Sequence, residues 1–297
     1  MSNEADRDQV AASPAAAGTA ASAATCAHGS AEAAVVPPAP AGPIKAAFFD
    51  IDGTLLSFKT HRMPASTVEA LAELRRRGVI TVVSSGRPTY QLPSELASGF
   101  DAYVTLNGQL CLDENGVYRS VPLPDDDARV IADQAAEGLY DVLVLQRERA
   151  FANRLGPRVR ATAEQAGLVY AVDDIAHALD APVYQFCAYV DPGEEHLFLD
   201  RTHGVRTTRW SELFCDVVPR EGGKRYGVEA TLERFGVAPE EAIAFGDGEN
   251  DLSMFEAVGT SVAMGNAWDT VKERASWVTT SVDDDGIWNA CRRFGLV

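Results

Sequence analysis

The sequence predicts an α/β fold: a doubly wound, mainly parallel sheet as core, interrupted by an inserted α+β cap domain. Two observations carry that expectation. Near both ends of the patterned region, short apolar runs alternate with helical stretches, a rhythm that buries a parallel sheet between two helical layers. Between them the rhythm gives way to a hairpin signal and closely spaced strands, the texture of a separate α+β unit. With 297 residues, 46% of them hydrophobic, the chain has material for one large domain or two modest ones.

Residues 1–43 stand apart. Ala, Ser, Pro and Gly dominate there and no period persists, so the segment cannot bury enough surface to offset ordering entropy and is expected to be a disordered tail. Acidic Glu4, Asp6 and Asp8, and the lack of a basic start before an apolar core, argue against a transit or secretory signal. The pattern then begins with a strand over Lys45–Phe49 and a helix from Pro64 to Arg77, with Val68, Leu71 and Leu74 near helical spacing and Gly78 as its stop. A second strand, Val79–Val83, is followed by another helix and a strand over Ala102–Leu106. Gln109–Leu112 and Val117–Val121 flank Asp113-Glu114-Asn115-Gly116 and predict a β-hairpin. Beyond it come helices near Asp126–Glu137 and Arg158–Ala166, and strands near Val142–Gln146, Val183–Val190, Val205–Arg209 and Leu213–Val218. The α/β rhythm resumes with a helix near Tyr226–Phe235 and strands at Ala242–Phe245 and Ser261–Ala263. The core is therefore expected over 44–108 and 219–297, with the cap over 109–218.

Composition narrows the function. A net charge of −17 disfavours non-specific binding to nucleic acid or to acidic membranes. No apolar run approaches the roughly 18–20 residues of a membrane span. The five cysteines (Cys26, Cys111, Cys187, Cys215 and Cys291) are odd in number and lack paired short spacing, which suits reduced thiols in a cytoplasm. Oligomeric state leaves no signature in the sequence.

Four clusters sit where the α/β segments turn. The first is Asp50-Ile51-Asp52-Gly53-Thr54, directly after an apolar strand. Gly53 lets the chain turn sharply, so both carboxylates can meet at the carboxyl end of the strand, where parallel sheets place ligands. Two anions held together repel unless a cation lies between them or a proton is shared, so the pair predicts a hard divalent metal, an acid/base couple, or both. Second comes Ser85-Gly86-Arg87, whose hydroxyl and backbone N–H groups suit phosphate oxygens. The third is Lys224, opening a helix after Gly222-Gly223, where the dipole favours an anion instead. Fourth is Gly246-Asp247-Gly248-Glu249-Asn250-Asp251, with three carboxylates and an amide around two glycines, a cation-binding composition. His28, His61, His177, His196 and His203 have no metal-ligand spacing. Trp210, Trp268, Trp277 and Trp288 are expected to pack, and Asp125-Asp126-Asp127 to cap a helix.

In their order, these four clusters resemble the haloacid dehalogenase superfamily, and the insertion between the second and third resembles its type-two-capped, Cof-like phosphatases. Leu106-Asn107-Gly108 and Val262-Ala263-Met264-Gly265-Asn266-Ala267 extend the likeness. The resemblance implies Asp50 as the nucleophile that becomes an aspartyl-phosphate, and Asp52 as general acid and then base. It implies Mg²⁺ held by Asp50, the backbone carbonyl of Asp52, and Asp247, with Asp251 fixing a metal-bound water or Lys224. Ser85, Gly86, Lys224 and Asn250 would hold the phosphoryl group. A mobile cap would close over the site and select the substrate, expected to be a small phosphorylated metabolite such as a sugar phosphate. A phosphomutase of the same superfamily and a non-catalytic metabolite-binding module are the rival readings. Arg225, where glycine is frequent in the family, is either an extra contact to an anionic substrate or a solvent-facing side chain.

Overall fold

The computed structural model describes residues 42–297, so the expected disordered tail, with Cys26 and His28, lies outside the described residues save for positions 42 and 43. In chain order, β1 (Ala46–Phe49), α1 (Ala65–Arg76), β2 (Ile80–Ser84), β3 (Ala102–Thr105), β4 (Leu110–Asp113) and β5 (Gly116–Ser120) come first. There follow α2 (Asp125–Ala136), β6 (Asp141–Gln146), β7 (Ala150–Ala152), α3 (Pro157–Ala166), β8 (Ala171–Val172), β9 (Val183–Tyr189), α4 (His196–Leu199), β10 (Val205–Ser211) and β11 (Phe214–Pro219). The chain then returns to α5 (Lys224–Phe235), β12 (Ala242–Gly246), α6 (Glu249–Phe255), β13 (Thr260–Ala263), α7 (Asp269–Lys272), β14 (Trp277–Val278) and α8 (Gly286–Arg293). Two sheets result, an eight-stranded one in the order β14-β13-β12-β1-β2-β3-β4-β5 and a six-stranded one in the order β10-β11-β9-β6-β7-β8.

Six strands of the larger sheet run parallel, β14 through β3, and both of their faces are covered. Along β1 the side chains alternate between two cores, with Ala47 and Phe49 packing among Leu71, Leu74 and Ile287, and Ala46 and Phe48 packing among Val228, Leu232 and Met254. That two-sided burial explains why the strand is apolar without alternation; Phe48 and Phe49 are fully buried and each contributes roughly 1.5–3 kcal/mol. Because β1 pairs with β2 on one side and β12 on the other, the connections leave it in opposite directions and open a crevice at its carboxyl end.

The hairpin forms, but it belongs to the core sheet and not to the cap, contrary to a boundary at residue 109. β4 pairs antiparallel with β3, and β5 with β4, so the pair extends the large sheet and the cap sheet begins at β6. Leu110 and Cys111 are buried there, which favours pairing onto the core edge. The helix expected before Ala102 is absent; only a 3₁₀ turn at Thr89–Gln91 forms. Pro88 and Pro93 bracket that turn and Gly99 follows at positive φ, which leaves too little uninterrupted chain for an α-helix. The short elements β7, β8 and α4, and the helices after β12, go beyond what the sequence pattern predicts. Among the described residues, no helix is long and apolar enough to cross a membrane.

Candidate active site

Asp50 follows the last residue of β1, and its backbone N–H donates to the carbonyl oxygen of Phe245 at 3.0 Å. Phe49 and Phe245 lie in register on β1 and β12, with rings stacked 4.9 Å apart. This pairing sets the first and fourth motifs side by side. Gly53 at φ +87° completes the approach, since a Cβ there would lie 2.1 Å from Asp247 Oδ2. Asn266 ties the loops together, its Nδ2 donating to the Gly53 carbonyl at 2.8 Å and to Asp247 Oδ2 at 3.3 Å. Thr54 Oγ1 donates to Asp247 Oδ1 at 3.4 Å.

Among the described residues, Asp50, Asp247 and Asp251 form a buried group in which one oxygen from each lies within 4.8 Å of the others. Lys224 Nζ is wholly buried beside them and donates to Asp50 Oδ1 and, at 2.6 Å, to Asp251 Oδ1. Asp251 Oδ2 accepts the N–H groups of Asp247 at 2.9 Å and Gly248 at 3.0 Å, so both of its oxygens are engaged. One ammonium thus faces three carboxylates. Burial pushes the Asp50 carboxyl up to about 7, with Lys224 opposing the shift and Asp251 adding to it. Burial, with Asp50 and Asp251 nearby, holds Asp247 well above the usual carboxylate range. Burial alone would lower Lys224, but Asp251 and Asp50 outweigh it and keep the ammonium above its ordinary value. The donor set is oxygen only and carries surplus negative charge, which fits a hard divalent cation.

A cavity of about 170 Å³ opens beside this cluster, with walls from both the core and the cap. Asp50, Asp52, Ser85, Gly86, Asp247 and Asn250 all line it, so six of the eight residues singled out in the sequence converge there. Lys224 and Asp251 stand outside that lining, and neither is exposed. Asp52 turns away from the cluster to meet Arg87, whose Nε and Nη2 donate to its two oxygens at 2.7 and 2.6 Å. The same guanidinium also donates to the Ala166 carbonyl, at the end of α3 in the cap, at 3.2 Å. Ser85 Oγ accepts the Arg87 N–H at 3.1 Å, and Asn250 Nδ2 donates to Asn107 Oδ1 at 3.1 Å.

Several expectations are corrected. Trp268 is not simply a packing residue, because it is 38% exposed and lines the cavity. Asp125, Asp126 and Asp127 do lie in the first turn of α2, where the dipole favours them, but none makes a cap bond; the Asp127 oxygens instead accept the N–H groups of His203 at 3.0 Å and Gly204 at 2.6 Å. Arg225 pairs with Glu229 at 2.7 Å on the surface, so it is the solvent-facing side chain of the two alternatives. Sequence reasoning misses Asn107 as a connector, and the cap residues Gln185, Cys187 and Asp216 on the cavity wall. A signal for the last exists. Asp216 interrupts the otherwise apolar run of β11, and burial pushes its carboxyl up to about 6.

Comparison with known proteins agrees with this geometry. A family model described as haloacid dehalogenase-like hydrolase matches residues 47–291. The Bacillus subtilis (strain 168) protein named "Putative phosphatase YkrA" is 34% identical over 255 residues, covering 85% of this chain and 98% of its own length. Pyridoxal phosphate phosphatase YbhA of Escherichia coli (strain K12) is 33% identical over 265 residues, covering 80% of this chain and 94% of its own. Among solved structures, the subclass IIB sugar phosphatase BT4131 superposes with a TM-score of 0.80 at 30% identity, covering 85% of this chain and 100% of its own.

Proposed function

The chain belongs to the haloacid dehalogenase-like hydrolases, and from that premise we propose that it hydrolyses a small phosphomonoester, a sugar phosphate or related metabolite, with Mg²⁺ as cofactor. One observation carries the reading: Asp50, Asp52, Asp247, Ser85 and Asn250, drawn from separate turns, line a single cavity beside a buried lysine. The names of YbhA and BT4131 support a small phosphorylated metabolite as substrate class.

In this reading Asp50 attacks phosphorus to form an aspartyl-phosphate. Asp52 passes a proton to the leaving alcohol and later takes one from the hydrolytic water. Ser85, the Gly86 backbone and Asn250 hold the phosphoryl oxygens. Lys224 offsets the repulsion between Asp50 and a phosphate dianion, and Asp251 fixes Lys224 in place. Mg²⁺, held by Asp50, the Asp52 carbonyl and Asp247, would supply further charge neutralisation at the phosphoryl group. The direct test is a screen of phosphorylated metabolites with and without Mg²⁺. Metal-dependent release of inorganic phosphate is expected, and isomerised product without phosphate release would refute hydrolysis.

Arg87 serves here as a positioning residue. Its two bonds fix the orientation of Asp52, the group that passes a proton to the leaving alcohol. Arg87→Ala is expected to lower kcat by about 10- to 100-fold on alkyl phosphates. The loss should be smaller on p-nitrophenyl phosphate, whose leaving group needs no proton. Equal losses on both would count against this role.

Metal binding should also show itself in stability. Asp50 titrates near 7 in the fold against 3.8 ordinarily, so between those values the folded state holds a proton that the unfolded chain releases. Metal-free stability therefore falls as pH rises from about 4 to about 7, and it stays reduced above that. A divalent cation stabilises the ionised carboxylates that burial disfavours, so Mg²⁺ should raise the melting temperature more at pH 8 than at pH 5. An equal shift at both pH values would contradict the assignment.

A further inference from the structure

The cap-side wall of the cavity is one face of the six-stranded sheet. Leu143 and Leu145 of β6, Gln185 and Cys187 of β9, and Phe214 and Asp216 of β11 line it. They are alternate residues on adjacent strands, so they share a face, while Val144, Phe186, Ala188, Cys215 and Val217 pack into the cap's own core. Register sets Asp216 opposite Cys187, Cys187 opposite Leu143, and Gln185 opposite Leu145. A small polar pair is thus embedded in an apolar surface.

The pair keeps an acceptor position in reserve. Asp216 is fully buried and accepts from Asn107 Nδ2 at 2.9 Å, takes a thiol contact from Cys187 at 3.3 Å, and is also bonded by the Gln185 amide. A carboxylate offers about four acceptor positions. Gln185 Oε1 accepts from Asn107 at 3.0 Å, while its Nε2 faces the Cys187 sulfur at 3.7 Å and the Asp216 carboxylate. An apolar residue at position 216 would serve packing as well or better, because a buried carboxylate with no cation in direct contact is costly.

We propose that Asp216 and Gln185 are specificity-determining residues that read a hydroxyl or ring N–H on a cyclic leaving alcohol, whose ring lies against Leu143, Leu145, Leu168 and Phe214. The inference deepens the phosphatase reading and rests on it. A linear polyol would set several hydroxyls against leucine and phenylalanine without partners. A phosphorylated carboxylic acid would bring an anion to Asp216. A single ring with one donor meets neither penalty. Ring and phosphoryl group would share one cavity, since the lining runs continuously from Asp50 and Ser85 to Leu143, Phe214 and Asp216.

The test uses the full chain with Mg²⁺ and esters of similar leaving-group reactivity: phenyl phosphate, the three hydroxyphenyl phosphates and the three methoxyphenyl phosphates. At least one hydroxyphenyl isomer should exceed both phenyl phosphate and its methoxy counterpart in kcat/KM by about tenfold or more. Asp216→Asn keeps the shape while the amide oxygen stays with Asn107, so an N–H replaces an acceptor, and the preference should shrink to within about threefold. If that variant melts early, Gln185→Leu is read by the same ratio. A purely structural link between core and cap would lower all rates together and leave the ratio intact. A preference that survives Asp216→Asn, or wild-type protein that hydrolyses phenyl phosphate with no preference, overturns the inference. Wild-type protein inert toward every ester and toward p-nitrophenyl phosphate sinks the phosphatase reading as well.

Discussion

Asp50→Asn is expected to abolish turnover, with kcat reduced by at least about four powers of ten and the fold retained. The loss is large because an amide is a poor nucleophile and because the same oxygen pair is expected to bind the metal. The fold survives for a separate reason. The substituted amide keeps the volume of the carboxylate it replaces, and Lys224 retains its 2.6 Å contact to Asp251. Removing one of three crowded carboxylates also lessens the repulsion that, after burial, helps hold Asp247 above its ordinary range. Phosphate release and circular dichroism on the same preparation separate the two effects. Wild-type rates in a folded Asp50→Asn protein would exclude Asp50 as nucleophile.

How much of this is legible in the sequence varies with the physical origin of each feature. The apolar run before Asp50 and the one before Gly246 announce buried strands, and Gly53 announces a turn, because each depends on local chemistry. Their adjacency depends on strand order, which a pattern of alternating elements does not encode by itself; only the resemblance supplies it. The hairpin at 110–120 illustrates the difference. Its strands and turn are local and follow from the pattern, whereas its attachment to β3 is a long-range choice that the change of rhythm after Gly108 points to the wrong sheet. Arg87 reads as part of a Ser-Gly phosphate loop, because nothing local tells its guanidinium to reach Asp52, 35 residues earlier. The cap wall escapes notice for another reason. In β9 and β11 both faces are buried, so Gln185 and Asp216 sit among apolar neighbours without the polar alternation that marks an exposed face.

Lys224→Met carries the other large effect, and it tests the electrostatics of the site apart from its covalent chemistry. Lys224 and Asp251 are wholly buried, and Asp50 nearly so, so the ion pairs here are not screened as surface pairs are. Removing the ammonium leaves two carboxylates without their cation beside Asp247. Breaking a buried pair in this way costs about 3–5 kcal/mol, and metal-free Lys224→Met should melt correspondingly early. Turnover should fall by at least about two to three powers of ten, the scale of losing one preorganised donor at the reacting group. The double variant Lys224→Met/Asp251→Asn divides the two consequences. It removes one stranded charge, so stability should recover in part, while activity stays low because the phosphoryl group still lacks its cation. If activity returned along with stability, Lys224 would act only as structural support for Asp251. Recovered folding without recovered turnover would instead make its charge part of the reaction.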